Sequence, residues 1–190
     1  TIGGKETLTS NDTIPDSAWV LSKDAFSHPH APEVHTIGFD QGVPCSVDGI
    51  KLDAVAVIET LETIGAKFGV GRGIHVGDTI IGIKGRVGFE AAAPVVIIKA
   101  HHALEKHVLT KWQLSWKDQL AQFYGNWLHE GQYLDPVMRD IEAYLTSSQQ
   151  HVTGTVSVTL LPHRFVINGI SSASPYAYHF DDGILRITIH

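Results

Sequence analysis

From residue 33 the chain reads EVHTIGFD, with apolar and polar residues in alternation. Gln41-Gly42 follows, then VPCSV and a second turn dipeptide, Asp48-Gly49. Alternation at period two, broken by such dipeptides, predicts two or three short strands joined by tight turns. The period changes at Asp53, which reads as a helix N-cap. Beyond it Val57, Ile58, Leu61, Ile64 and Phe68 recur at helical spacing, with Glu59 and Glu62 between them and Gly65 and Gly69 as stop signals. Ile74 and Val76, then Thr79, Ile81 and Ile83, alternate on either side of Gly77-Asp78, which predicts a hairpin turning at that dipeptide. A long helical region at about 94–150 comes next. Pro94 suits its first turn, and separate segments are expected over 98–109, from Lys111 to about His129, and over 136–150. Strand patterns return at 155–161, 164–170 and 184–190, with turns at Pro162 and Asp182-Gly183. The order of elements predicts an α+β fold: a mixed or antiparallel sheet with hairpins, packed against several helices. Residues 1–32 carry little periodicity and much Thr, Ser, Asp and Pro. They read as an extended arm ahead of a single α+β domain at 33–190.

Composition narrows the classes. Of 190 residues 43% are hydrophobic and 18% charged, enough apolar material for a core. A net charge of −6 and scattered Lys and Arg argue against a nucleic-acid surface, which needs a basic patch. No apolar run reaches the ~18 residues of a membrane helix, and the N-terminus has neither the basic nor the apolar region of a signal peptide. The lone Cys45 excludes an intrachain disulfide and fits a reducing, cytoplasmic compartment. The chain opens on Thr1 rather than Met, so an upstream part is expected to be missing.

Candidate chemistry concentrates in residues 68–90, where seven glycines and three cationic side chains share one stretch. Gly69, Gly71 and Gly73 form GVGRG, but a dinucleotide loop needs a strand before the glycines and a helix after, and here that order is reversed. The run from Ile2 to Thr7 echoes a pyrophosphate loop only superficially. No nucleotide site is therefore expected in this chain. His101, His102, Glu105 and His107 cluster without the spacing of a zinc site, so no metal is expected and they read as solvated or core-satisfied. Ser/His/Asp chemistry lacks its nucleophile elbow. Trp112, Trp116, Phe123, Tyr124 and Trp127 recur at helical spacing and read as core or subunit interface. Lys84, Arg86 and Glu90 lie at even spacing on one strand and so share a face. Two cations and a carboxylate there suit an amino-acid zwitterion or another carboxylate ligand, Arg86 being able to grip a carboxylate with two hydrogen bonds. The alternative is a solvated, salt-bridged strand.

The order and spacing of several fragments resemble the C-terminal synthetase domain of the argininosuccinate synthase family. They are Thr13-Ile14-Pro15-Asp16 through Trp19 to Ser22, Ile37-Gly38-Phe39-Asp40-Gln41-Gly42-Val43-Pro44, Gly69-Val70-Gly71-Arg72, Ile81-Gly82-Ile83-Lys84-Gly85-Arg86 with Phe89-Glu90, Ala100-His101-His102-Ala103-Leu104-Glu105, Ser148-Gln149 with Val152-Thr153-Gly154, and Ser174-Pro175-Tyr176. The resemblance implies a part of a cytoplasmic ligase that joins citrulline to aspartate in arginine biosynthesis, with ATP and magnesium held by an N-terminal nucleotide-binding domain. It also implies a homotetramer, and a chain that is inactive alone. Two family hydroxyls that contact citrulline fall on Thr13 and Ser22. The family's citrulline-gripping glutamate aligns to Gly77, beside Asp78, and a family tyrosine aligns to Phe89. Either Asp78 then substitutes for the missing carboxylate or a divergent branch of the family holds a different substrate, and Lys84, Arg86 and Glu90 are site-edge or scaffold residues. Two other readings stay open: a non-catalytic oligomerisation module, and a stand-alone binding domain for a small carboxylate metabolite.

Overall fold

The computed structural model describes residues 11, 13–28, 30–78, 81–82, 84–173, 178–181 and 184–187. The side chains of Lys84 and of residues beyond 173 lie outside that description. The run from Ile2 to Thr7 and the Ser174-Pro175-Tyr176 motif also fall outside the described residues.

In chain order the elements are β1 (Glu33–Asp40), β2 (Val43–Val47), β3 (Ile50–Lys51), α1 (Ala54–Ala66), β4 (Arg72–Asp78), β5 (Lys84–Glu90), α2 (Ala92–Val108), α3 (Lys111–His129), α4 (Pro136–Gln149), β6 (Gly154–Leu161), β7 (Arg164–Ser171), β8 (Tyr178–Asp181) and β9 (Ile184–Ile187). An antiparallel five-stranded sheet runs in the order β3-β2-β1-β6-β7, while β4-β5 and β8-β9 form separate two-stranded ladders. The fold is α+β, as the alternation of patterns predicts.

Local chemistry accounts for most boundaries. Both residues of Gln41-Gly42 and of Asp48-Gly49 have positive φ, the geometry of the tight hairpin turns that suit twisted strands. The Asp53 side chain accepts from the Ala56 amide to start α1, Thr110 and Gln113 form a reciprocal capping box at α3, and Asp135 with Pro136 starts α4. Ile37, Phe39, Val156 and Val158 of the sheet pack on Val57 and Leu61 of α1 and on Val96, Ala100 and Leu104 of α2. Gly65, expected as a stop, lies inside α1. A Cβ there would come within 2.7 Å of Ala92 Cβ, so this glycine lets α2 approach α1.

The hairpin differs from expectation at its turn. Gly77 and Asp78 are not the turn; they are rungs of the ladder, opposite Gly85 and Lys84. The apolar alternation reads on through Ile81, but the ladder ends at the Asp78–Lys84 pair and Gly82 has φ +77°. At the base, Gly71 has φ +81°, and a Cβ on it would stand 2.4 Å from the backbone of Ala91 and Ala92. These glycines serve the close approach of the chain to itself.

Residues 13–28 hold one 3-10 turn (Asp16–Ala18) yet bury Ile14, Trp19 and Ala25. In contrast, α3 has no fully buried residue, though its half-buried Leu114 packs against the core. Polar attachments add to this: Lys117 to Glu105 of α2 at 2.6 Å, Tyr124 to Glu142 of α4 at 2.8 Å, and Tyr144 of α4 to the Gln113 carbonyl at 3.3 Å.

Candidate active-site hairpin

The β4-β5 register sorts the candidate residues onto two faces. His75 pairs with Val87, Gly77 with Gly85 and Gly73 with Phe89, which puts these six on one face. Arg72, Ile74, Val76 and Asp78 share the other face with Glu90, Gly88, Arg86 and position 84. Gly77 and Phe89 are thus brought together, while Asp78, Lys84, Arg86 and Glu90 occupy the opposite side.

The first face is paved with glycine. Among the described residues other than its chain neighbours, none comes within 4 Å of a Cβ built on Gly73, and for Gly85 only the Gly77 carbonyl oxygen does, at 3.9 Å. Position 77 is different: a Cβ there would meet His75 Nε2 at 2.5 Å, so the imidazole occupies the space a side chain at 77 would take. The His75 and Phe89 rings meet edge to face with centroids 6.1 Å apart. Two cavities adjoin at His75. One, of about 490 Å³, is lined by Gly77, Asp78, Ile81, Val87 and His129 among others; the second, of about 450 Å³, by Arg72, Gly73, Phe89 and Val95 among others. Asp78 is the carboxylate in that combined lining and Arg72 the guanidinium. A larger cavity, of about 740 Å³, lies between the β1-β2 turn and α4 and contains none of the candidate residues.

The opposite face, at the hairpin base, holds the 13–28 segment. Glu90 Oε2 accepts from the amides of Val20 at 2.8 Å and Leu21 at 3.1 Å; Oε1 accepts from the Ser22 amide at 2.8 Å and the Ser22 hydroxyl at 2.7 Å. Partial burial raises the Glu90 carboxyl, but these hydrogen bonds outweigh it, from the Ser22 hydroxyl first and then from the amides. The net result is a pKa below the ordinary value. Arg72, opposite Glu90 in the ladder, donates from Nε to Ser22 Oγ at 2.7 Å and from its terminal nitrogen to the Ser22 carbonyl. Its guanidinium stands over the Trp19 and Phe26 rings and 3.7 Å from Asp16. Ser22 is only 4% exposed, whereas Thr13 is exposed.

Elsewhere, the half-buried His101 bonds Gln149 at 2.9 Å and sets its ring tilted against Phe39 at the edge of the core. His102 faces Asp118 at 3.9 Å. Among the described residues no three His, Cys, Asp or Glu side chains converge as metal ligands would, and no helix is long and apolar enough to cross a membrane. Sequence reasoning passed over Arg72 and His75. Arg72 stands in a quoted motif, but its bonds run to a segment fifty residues away, and His75 reads simply as a polar position in an alternating strand.

The model of the family described as "Arginosuccinate synthase C-terminal domain" matches residues 5–183. The argininosuccinate synthase of Dehalococcoides mccartyi strain 195 is 39% identical over 171 residues, which is 89% of this chain and 41% of that protein. That of Xanthomonas campestris pv. campestris is 40% identical over 141 residues, covering 74% of this chain and 35% of the relative. That of Methanocaldococcus jannaschii is 34% identical over 178 residues, covering 94% and 44%. The chain therefore spans about two fifths of the length of these relatives.

Proposed function

The chain belongs to the argininosuccinate synthase C-terminal domain family, and on that premise we propose that it builds the citrulline side of an argininosuccinate synthase active site. The intact enzyme would condense citrulline with aspartate and cleave ATP to AMP and pyrophosphate in the cytoplasm. ATP and magnesium would be held by a nucleotide-binding domain preceding the 1–32 arm, and 33–190 would act as one domain. The GVGRG loop does not suit phosphate: it follows a helix, leads into a strand, and lies against the backbone of Ala91 and Ala92.

The observation that carries this reading is the pair of cavities adjoining at His75 on the glycine-paved face, with one carboxylate in their lining. Citrulline would lie along Gly77 and Phe89, with Asp78 pairing its ammonium group. Thr13 and Ser22 would reach the hairpin base from the arm on its opposite face, where Lys84, Arg86 and Glu90 would support the site from behind. Losing one charge-assisted hydrogen bond in such a site costs about 1.5–3 kcal/mol, or roughly ten- to a hundredfold in affinity. In the full-length protein, Asp78→Ala should raise the KM for citrulline by about that factor and leave the KM for ATP nearly unchanged. Unaltered citrulline kinetics would remove Asp78 from the site. Phe89→Tyr should be tolerated.

A role in assembly accompanies this reading. Trp112 is 68% exposed and Trp116 57%, with Phe123 and Leu128 also exposed on α3 and Leu134 in the turn after it. Apolar surface of this kind on one element marks an interface, and we assign it to contacts within a homo-oligomer, a tetramer in the intact enzyme.

A further inference from the structure

The glycine-paved face of the β4-β5 hairpin carries one hydrogen-bonding side chain. Of its six positions, Gly73, Gly77 and Gly85 have no side chain, Val87 and Phe89 are apolar, and the sixth is His75. The two cavities on this face adjoin at His75, the residue common to both linings. Its imidazole leans over its neighbour two residues on: Nε2 stands 2.5 Å from where a Cβ on Gly77 would be. Any side chain at 77 would have to push the ring aside. Among the described residues the ring is met by the edge of Phe89, with centroids 6.1 Å apart, and no hydrogen bond reaches either of its nitrogens.

The donor and acceptor inventory says what this ring offers. An imidazole carries at least one N–H in every tautomer and charge state. A carboxylate only accepts, which fits Asp78 to an ammonium group and unfits it for an anion. Arg72, the guanidinium of the second cavity, is engaged elsewhere: Nε and one terminal nitrogen donate to Ser22, and the other terminal nitrogen faces Asp16 at 3.7 Å. His129 lines one of the two cavities, whereas His75 lines both.

We propose that His75 is a specificity-determining residue of this hairpin, donating an N–H to the carboxylate of the amino-acid ligand from the space that Gly77 leaves open. The proposal rests on the reading that the hairpin holds an amino acid. The carboxylate and ammonium of an α-amino acid hang on one carbon, so partners for both must face one cavity. Asp78 and His75 both line the cavity of about 490 Å³. The bare glycines beside them let the ligand lie against the strand backbone.

The test uses the full-length protein, with L-citrulline as the varied substrate and L-citrullinamide, whose neutral amide replaces the carboxylate, as competitor. His75→Ala should raise the KM for citrulline about tenfold, as expected for one hydrogen bond to a charged group, with kcat and the KM for ATP changed less than about twofold. His75→Gln, which keeps an N–H donor, should recover part of the loss. His75→Glu should raise the KM further than His75→Ala, because it sets a negative charge against the ligand's own. A Glu variant equal to or better than the Ala variant would overturn the proposal, since no carboxylate would then stand at the ring. Competition reads the contact independently: wild type should favour citrulline over the amide, and His75→Ala should cut that preference about tenfold. An unchanged preference would overturn the contact. His75 is exposed, so its variants should melt with wild type, which separates a KM effect from a folding defect. An Asp78→Ala effect with none from His75→Ala would overturn this inference alone. No effect from either would remove the substrate reading as well.

Discussion

Lys117→Met should destabilise the domain by about 3 kcal/mol, and the structure states why. Glu105 is fully buried in α2, with Oε2 2.6 Å from Lys117 Nζ and Oε1 2.8 Å from Gln149 Nε2. Removing one member of a buried ion pair leaves an uncompensated charge and costs about 3–5 kcal/mol. Two features hold the loss to the lower end: the Lys117 side chain is 18% exposed, and Gln149 keeps its bond to the carboxylate. A loss of about 3 kcal/mol is roughly a 150-fold change in the folding equilibrium. At a urea slope of about 2 kcal/mol/M it moves the midpoint down by ~1.5 M. Tryptophan fluorescence reports the transition well, since Trp112, Trp116 and Trp127 all lie on α3, the helix the pair anchors. The double variant Glu105→Gln/Lys117→Met replaces the pair by a neutral amide and a thioether of similar length and should return to within about 1 kcal/mol of wild type. If Lys117→Met moved the midpoint by less than about 0.3 M, the pair would be behaving as a solvated surface bridge, and the account of how α3 is held would fail.

Gly71→Ala should cost more than about 2 kcal/mol, because it adds a Cβ at φ +81° and 2.4 Å from backbone atoms that cannot retreat, whereas Gly73→Ala meets open space and should leave thermal stability nearly unchanged. Trp116→Glu should shift the protein toward smaller species in light scattering at tens of micromolar; a wild-type monomer at that concentration would count against the α3 interface. Burial holds the His101 imidazole below its ordinary pKa, with Glu105 and the Gln149 hydrogen bond pulling the other way. A base depressed in the fold takes up its proton on unfolding, so its contribution to stability is full above the ordinary imidazole value of about 6.5 and drains as pH falls below it. The urea midpoint should drop between pH 7.5 and 5.5, and His101→Gln should flatten that part of the profile. Glu90 behaves as a depressed carboxyl: its grip on residues 20–22 is complete above the ordinary carboxyl range and fails as pH falls through its lowered folded value. Loosening of that segment between pH 7 and 5, seen by hydrogen exchange, would contradict that grip.

What the sequence determined by itself is whatever local chemistry controls. The β1-β2-β3 meander, the three capped helix starts at Asp53, Thr110 and Asp135, and the β6-β7 pair follow from periodicity, from residues that tolerate positive φ, and from side chains that reach their own backbone amides. Family membership was legible for a related reason, because its fragments keep their order along the chain. Tertiary structure decided everything that depends on pairs distant in sequence. Periodicity put a turn at Gly77-Asp78, and only the ladder register could show that they are rungs, with Gly77 and Asp78 on opposite faces. An aromatic helix reads alike whether its face is covered by the core or left exposed, and on α3 Trp112, Trp116 and Phe123 stand exposed while Leu114 packs against the core. The sequence places a family hydroxyl at Ser22, and nothing in it shows that Glu90 and Arg72, 68 and 50 residues away, bind that hydroxyl. Hydrogen bonds of that span leave no period in the sequence, since their geometry exists only once the hairpin base and the arm are folded together.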